Sequence, residues 1–105
     1  MCGIVGFTGH QSAKDVLIEG LKRLEYRGYD SAGIALQNAT NEELTVVHRV
    51  GKVAGLAEAV EYLNNASSCG IGHTRWATHG APSERNAHPH TSCDNKIAVV
   101  HNGII

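Results

Sequence analysis

Apolar residues recur at helical spacing in two segments of the chain. They are Leu17, Leu21 and Leu24 in the first segment, and Val53, Leu56, Val60 and Leu63 in the second. Each set falls on one face of a helix, so two amphipathic helices are predicted. Ser12, followed by Asp15 three residues later, predicts the start of the first helix. Gly28 can end it in a left-handed conformation, and the sequence NNASS ends the second.

Five other stretches are rich in β-forming residues and predict strands. They cover residues 2–8, 32–36, 45–50, 69–75 and 96–103. The polar sequence NATNEE separates the second strand from the third and suits a hairpin connection. Residues 76–95 form a long polar stretch without periodicity, which holds the one Trp, both prolines and three of the seven histidines. A loop of that length in a small domain is usually functional or disordered.

The composition fits one small domain or part of a larger one. The 105 residues are 42% hydrophobic and carry a formal net charge of -1, which favours neither a nucleic-acid partner nor a membrane surface. No apolar run approaches the ~20 residues of a membrane span, and no secretory signal is present. Cys2, Cys69 and Cys93 are an odd number that does not indicate a disulfide framework, so a cytoplasmic location is expected.

Cys2 stands directly after the initiator methionine, and this position is the first indication of chemistry. If Met1 is removed, Cys2 carries a thiol and a free α-amine on the same carbon, so that a nucleophile and a potential base lie on one residue. The alternative is that Cys2 is a small apolar residue at the start of a β-strand. A nucleophile also needs donors that stabilise an oxyanion and a group that holds the substrate.

Polar residues at or just after predicted strand ends can supply those groups. Asn102 and Gly103 offer a side-chain amide and a backbone N–H for an oxyanion hole. Arg75 can clamp a carboxylate through its planar guanidinium. Thr78 and His79, on the loop that follows, can hydrogen-bond a small polar ligand.

Each of these features also has a plain structural explanation. The sequence HNG is a common turn, and Arg75 can pair with Glu84 or Asp94 on the surface. His88 and His90 can simply pin the loop that contains them. The joint presence of the polar residues where loops leave a rigid scaffold favours a catalytic site over these separate explanations.

Four long motifs resemble one family of enzymes. They are CGIVG at the start, LEYRGYDSAGIA at 24–35, GHTRWATHGAPSERNAHPH at 72–90 and VVHNGII at 99–105. Together they are similar to the glutaminase domain of the glutamine–fructose-6-phosphate aminotransferases, which are class II glutamine amidotransferases and N-terminal-nucleophile hydrolases. The resemblance implies an α+β fold, a four-layer α/β/β/α sandwich of which only the first part is present. Residues 1–105 are then expected to be the N-terminal part of a glutamine amidotransferase type-2 domain without an isomerase domain.

The resemblance also implies a role for each matching residue. Cys2 corresponds to the nucleophile, Asn102 and Gly103 to the oxyanion hole, and Arg75 to the residue that binds the glutamine α-carboxylate. Thr78 and His79 match positions that line the glutamine pocket, Trp76 matches a residue beside the loop that closes over glutamine and gates ammonia, and Arg27 belongs to a motif packed close to the nucleophile.

The reaction implied by the resemblance is hydrolysis of glutamine to glutamate and ammonia, without a cofactor or metal. In complete relatives a separate domain uses the ammonia to convert fructose 6-phosphate into glucosamine 6-phosphate, and a homodimer is expected for the full-length form. Family members continue well past residue 105 and carry there an aspartate that binds the substrate amino group. We therefore expect the 105-residue chain by itself to be a fragment with little or no activity.

A zinc-binding structural module is the alternative from another class of function. Its ligands would come from six side chains, which are His73, His79, His88, His90, Cys69 and Cys93. Four such side chains suffice for a closed zinc site. The sequence contains no CxxC or HxxxH pair, however, and HPH alone is a poor chelate, so the glutaminase hypothesis is preferred.

Overall fold

The structure is a computed structural model that describes residues 2–27, 30–38, 43–63, 67–76 and 87–102, without the side chain of Arg27. The elements, in chain order, are β1 (Gly3–Thr8), α1 (Ala13–Leu24), a 3-10 turn (Glu25–Arg27), β2 (Ser31–Gln37), β3 (Leu44–Val50), α2 (Val53–Val60), β4 (Cys69–Arg75), β5 (His90–Thr91) and β6 (Ala98–Val99). None of the helices in these ranges is long and apolar enough to cross a membrane.

The four longer strands form one antiparallel sheet in the order β1-β4-β2-β3. β4 lies between β1 and β2, with Gly3 opposite Thr74 and Ser31 opposite Arg75. Because these strands are antiparallel, the start of β1, the end of β4 and the start of β2 meet at the same end of the sheet. The first residues of the chain are thereby held beside the residues that follow β4.

Both helices pack on one face of this sheet and enclose the hydrophobic core. Leu17 and Leu21 of α1 are fully buried in the same cluster as Ile34 of β2, and burial of each such side chain stabilises the fold by roughly 1.5–3 kcal/mol. β4 carries Gly70 and Gly72 on this face, and a methyl group added at either would lie against Leu17 or Leu21. The two glycines therefore let α1 approach the sheet closely.

Residues near the end of the described chain cover part of the opposite face. β5 and β6 pair as a two-stranded antiparallel sheet. Nε2 of His48, on β3, lies 2.6 Å from the carbonyl oxygen of Pro89. A methyl group added at Gly33 of β2 would press into the carbonyl oxygen of His88. The main chain of residues 88–89 thus lies directly on β2 and β3.

The α+β class is confirmed, as are both helices, the four strands before residue 76 and the antiparallel hairpin of β2 and β3. The predicted strand over 96–103 is too long: among the described residues of this range, the strand is Ala98–Val99, which pairs with the two residues of β5. Ser12 stands at the N-cap of α1 as predicted, but its hydroxyl makes no capping hydrogen bond. Gly28 and residues 77–86 of the long polar stretch lie outside the described residues.

Candidate active site

The thiol of Cys2 lies against the backbone of Trp76, just past the end of β4. The Trp76 N–H donates a hydrogen bond to Sγ of Cys2 at 3.4 Å, and Sγ lies 3.8 Å from the Trp76 carbonyl oxygen. The β1–β4 register, with Gly3 opposite Thr74, brings these residues together. Cys2 is partly exposed and the Trp76 residue is 48% exposed. The thiol is therefore held by main-chain groups and is not sealed in the core.

Asn102 reaches the same point from the other end of the described chain. Its Nδ2 atom donates to the carbonyl oxygen of Cys2 at 3.2 Å, across a sequence separation of 100 residues. Because a carbonyl oxygen only accepts hydrogen bonds, this contact orients the amide with Nδ2 toward Cys2. An N–H donor thus contacts the main chain of the residue that carries the thiol, and a donor close to a nucleophile is what stabilisation of an oxyanion requires.

His73 contacts the other side of the Asn102 amide. It lies on β4, is fully buried, and places Nε2 at 2.9 Å from Oδ1 of Asn102. Its ring stacks on the ring of His88 with centroids 4.4 Å apart. Nδ1 of His88 accepts a hydrogen bond from the backbone N–H of His101 at 3.3 Å. Two imidazoles therefore hold the segment that carries Asn102.

Both of these imidazoles are kept neutral at pH 7. Burial is the main cause that lowers the pKa of His73, while its hydrogen bond to Asn102 opposes the effect and the charge of Arg75 adds to it. Burial and the neighbouring positive charges lower the pKa of His88 to about 4. A neutral ring is what His88 needs as an acceptor, because protonation of Nδ1 removes the lone pair that binds the backbone N–H.

Arg75 ends β4 on the same face of the sheet as His73, two residues earlier on the strand. Arg75 is 9% exposed, so it is not a surface side chain, and the carboxylate of Asp94 accepts hydrogen bonds within its own turn. Glu84, the other suggested partner, lies outside the described residues. A buried guanidinium beside the thiol end of the sheet suits a clamp for a carboxylate.

The remaining predicted site residues are only partly covered by the structure. Gly103, Thr78 and His79 lie outside the described residues, and so does the side chain of Arg27, whose backbone belongs to the 3-10 turn after α1. Within the described ranges, no group of three or more His, Cys, Asp or Glu side chains is arranged to hold a metal ion.

The sequence motifs did not indicate His73 as part of this site. A signal for it is nonetheless present, because His73 and Arg75 are two residues apart in a predicted strand and so lie on one face. His88 is predicted to pin its loop or, in the alternative, to bind zinc, and the structure shows a contact by which it pins the loop, the hydrogen bond from the His101 N–H.

Several curated proteins match the chain over its whole length. Glutamine–fructose-6-phosphate aminotransferase from Thermus thermophilus is 62% identical over 104 residues, which are 99% of this chain and 17% of the relative. The enzyme of the same name from Acinetobacter baylyi is 62% identical over 105 residues, 100% of this chain and 16% of the relative. The one from Pyrococcus horikoshii is 55% identical over 105 residues, again 17% of the relative. The chain thus spans about one-sixth of the length of these relatives.

Solved structures agree with the sequence matches, whereas no protein-family model matches the chain. A glutamine phosphoribosylpyrophosphate amidotransferase from B. subtilis, complexed with ADP and GMP, superposes with a TM-score of 0.70 at 28% identity, over 90% of this chain and 20% of its own. A structure described as the allosteric regulatory enzyme of purine biosynthesis gives a TM-score of 0.66 with the same identity and coverage. Over its whole length the chain is thus 55–62% identical to the N-terminal glutaminase portion of these glutamine–fructose-6-phosphate aminotransferases, and its fold matches that of a solved glutamine amidotransferase.

Proposed function

We propose that this chain forms the first part of a glutamine amidotransferase type-2 domain and supplies the nucleophile and oxyanion donors of a site that hydrolyses glutamine. The observation that carries the proposal is the meeting of Cys2 and Asn102, where Nδ2 of the amide lies 3.2 Å from the carbonyl oxygen of the cysteine. The names of the matching relatives, which are glutamine–fructose-6-phosphate aminotransferases, support glutamine as the substrate.

The reaction begins once removal of Met1 exposes the α-amine of Cys2. The amine takes the thiol proton, directly or through water, and Sγ forms a bond to the carbon of the glutamine side-chain amide. The electron pair of the C=O bond moves to oxygen, and Asn102 and the N–H of Gly103 stabilise this oxyanion. When the C–N bond breaks, the ammonium group of Cys2 returns its proton and ammonia leaves. Water then cleaves the thioester, which releases glutamate and restores the thiol.

The other site residues bind the substrate in this proposal. Arg75 holds the α-carboxylate of glutamine in two parallel hydrogen bonds. Thr78, His79 and Trp76 line the pocket, and Arg27 packs near the nucleophile. The largest single contribution comes from the oxyanion donors, since loss of one such donor typically costs roughly 3–4 kcal/mol of transition-state stabilisation.

Use of the ammonia is proposed for an enzyme of the length of the relatives, of which this chain spans about one-sixth. In such an enzyme we expect fructose 6-phosphate to bind a separate domain, to take up the ammonia and to yield glucosamine 6-phosphate for amino-sugar biosynthesis. We expect this enzyme to be a cytoplasmic homodimer, and the three free cysteines fit a reducing compartment. The 105-residue chain alone is expected to release little glutamate.

Covalent labelling tests the proposed nucleophile. A chloroketone or diazoketone analogue of glutamine should label Cys2 once per chain after Met1 is removed, and glutamine should protect the thiol. Intact-mass spectrometry and peptide mapping measure both the label and the fate of Met1. Cys69→Ser and Cys93→Ser should be labelled like the parent chain, whereas Cys2→Ser should not. A label on Cys69 or Cys93, or labelling that glutamine does not prevent, contradicts the proposal.

Turnover is measured in a chimaera in which this chain replaces the matching 104 residues of the Thermus thermophilus relative. The chimaera should release glutamate from glutamine, and Cys2→Ser should abolish the release. A folded chimaera that releases no glutamate contradicts the proposed function. The isolated chain, assayed beside it, shows how much of the activity the first 105 residues retain by themselves.

A further inference from the structure

We propose that His73 is a positioning residue that orients the Asn102 amide for oxyanion stabilisation by donating its Nε2–H to Oδ1. This inference rests on the proposed glutaminase function. It adds to the groups that touch substrate a residue, His73, that acts through one of them, Asn102. Its basis is a chain of two hydrogen bonds, from His73 to Asn102 at 2.9 Å and from Asn102 to Cys2 at 3.2 Å.

The Asn102 amide needs such a partner because its two ends have opposite hydrogen-bonding character. The terminal torsion of an asparagine side chain is broad and roughly two-fold. An amide turned by half a revolution would present Oδ1 instead of Nδ2 toward Cys2, and an acceptor there would repel a developing oxyanion. A fixed donor on the Oδ1 side removes this second orientation.

His73 is suited to be that donor because its own ring is fixed. It is fully buried on the interior strand β4 and stacks on His88 with an interplanar angle of 29°. Nδ1 of His73 is buried and has no hydrogen-bond partner among the residues that the structure describes. A proton on Nδ1 would therefore be an unsatisfied buried donor, which costs about 1–3 kcal/mol. The neutral ring accordingly carries its proton on Nε2, facing Asn102.

The arrangement also ties the orientation of Asn102 to the rigid part of the fold. His73 lies in the middle of the sheet, and Asn102 lies at a bend beyond the short β6 strand. Among the described contacts, the His73 imidazole is the side chain that links the Asn102 amide to the sheet. Loss of the imidazole is then expected to release the amide while the thiol, held by the Trp76 backbone, stays in place.

The tautomer of His73 tests the hydrogen-bond chain without any activity measurement. In the chain labelled with 15N-histidine, the His73 ring should show a protonated Nε2 and an unprotonated Nδ1 near neutral pH. In a second sample labelled with 15N-asparagine, the side-chain NH2 signals of Asn102 should lie apart from those of an exposed asparagine, and His73→Leu should move them toward the exposed values. A ring protonated on Nδ1, or Asn102 signals that His73→Leu leaves unchanged, overturns the inference.

Kinetics of the chimaera test the consequence for catalysis. His73→Leu should lower kcat for glutamate release about 10- to 100-fold and change the KM for glutamine little. His73→Gln, whose amide nitrogen can reach the position of Nε2, should restore most of kcat. Alkylation of Cys2 by iodoacetamide forms no oxyanion, so its rate should be the same in all three proteins. A fall in the alkylation rate that matches the fall in kcat, or no rescue by His73→Gln, overturns the inference.

A double-mutant cycle separates positioning from a general structural role. In the Asn102→Ala background, His73→Leu should cost nothing further, because the group that it orients is already absent. Equal losses with and without Asn102 overturn the inference. A parent chimaera that releases no glutamate instead refutes the proposed function and the catalytic part of this inference, and the 15N measurement still decides the orientation of the amide.

Discussion

Glu25 caps the N-terminus of α2, because its Oε2 atom accepts a hydrogen bond from the N–H of Val53 at 2.6 Å. Lys52, which occupies the N-cap position, makes no capping bond with its own side chain. The cap therefore comes from the residue that follows α1, and its negative charge faces the positive end of the α2 dipole. An eight-residue helix is too short to be stable by itself, so contacts of this kind decide whether α2 forms.

Replacement of Glu25 should weaken the fold measurably. Glu25→Ala is expected to lower the free energy of unfolding by about 1 kcal/mol, the usual cost of a lost cap. Glu25→Gln should cost less, because the amide oxygen can still accept from Val53. Urea unfolding followed by circular dichroism measures both changes. The control is Glu19→Ala, whose exposed pair with Arg23 at 3.9 Å should contribute less than about 0.5 kcal/mol, and an equal loss there would show that the cap has no special role.

Lys14 donates hydrogen bonds to backbone carbonyl groups at and just after the C-terminal end of α2. Its Nζ atom donates to the carbonyl oxygen of Leu63 at 2.8 Å and of Val60 at 3.3 Å, and the residue is 7% exposed. Lys14→Met keeps the aliphatic packing but leaves these carbonyls without their donor, so we expect a loss of about 1–3 kcal/mol in urea unfolding. Lys22→Met, on the exposed side of α1, should change stability by less than about 0.5 kcal/mol. Equal stability of Lys14→Met and the parent chain would mean that water replaces the ammonium group.

These caps show which part of the fold the sequence could not predict. The spacing of Val53, Leu56 and Val60 is a local pattern, and it correctly predicts a helix with one buried face. The groups that cap this helix are 28 residues away for Glu25 and up to 49 residues away for Lys14. No local sequence pattern contains these capping residues, because their contacts form only when α1 and α2 pack beside each other on the same face of the sheet.

The candidate site likewise contains residues that the sequence predicts and a contact that it does not. Cys2, Arg75 and Asn102 could be chosen from the sequence because each lies at or near a predicted strand end, where loops leave the scaffold. The contact of His73 with Asn102 joins residues 29 apart and depends on the path of the segment after residue 87. The strand predicted over 96–103 is longer than the observed Ala98–Val99 for a related reason, because an apolar run forms a strand only as far as a partner strand pairs with it.

Gly33 lets the main chain of residues 88–89 lie directly on the sheet. Its replacement should therefore displace His88, which stacks on His73 in the candidate site. The methyl group of Gly33→Ala would press into the His88 carbonyl and lie 2.8 Å from Cδ2 of His48. Because backbone cannot rotate out of the way as a side chain can, the 88–89 segment must shift, and we expect a loss of about 1–3 kcal/mol. The NMR signals of the His88 ring should shift as well, since its stacking on His73 is disturbed.

The matched control for this change is Gly6→Ala, also in a strand, where no described residue other than its chain neighbours has an atom within 4 Å of the added methyl group. Its free energy of unfolding should stay within about 0.5 kcal/mol of the parent value or rise slightly. If Gly6→Ala and Gly33→Ala have the same effect, strand propensity and not the contact with the His88 main chain explains the loss.

His88 should make the fold sensitive to mild acid. Burial and the neighbouring charges lower its pKa from the ordinary 6.5 to about 4. As pH falls through about 6.5 the unfolded chain takes up a proton at this ring, whereas the folded chain does not until about pH 4. The stability that depends on neutral His88 is therefore fully present above pH 6.5 and is lost progressively as pH falls toward 4. Because the ring is half-buried, we expect a loss of about 1–2 kcal/mol.

Urea unfolding at about pH 7.5 and about pH 5 measures this loss. The control variant is His88→Asn, because Oδ1 of asparagine lies close to the position of Nδ1 and can still accept from the His101 N–H, yet it does not titrate. The parent chain should lose more stability than His88→Asn between the two pH values. His73, whose pKa is also lowered, is present in both proteins, so the difference between them reports on His88. An identical pH dependence would assign the acid sensitivity to other groups and remove His88 as its cause.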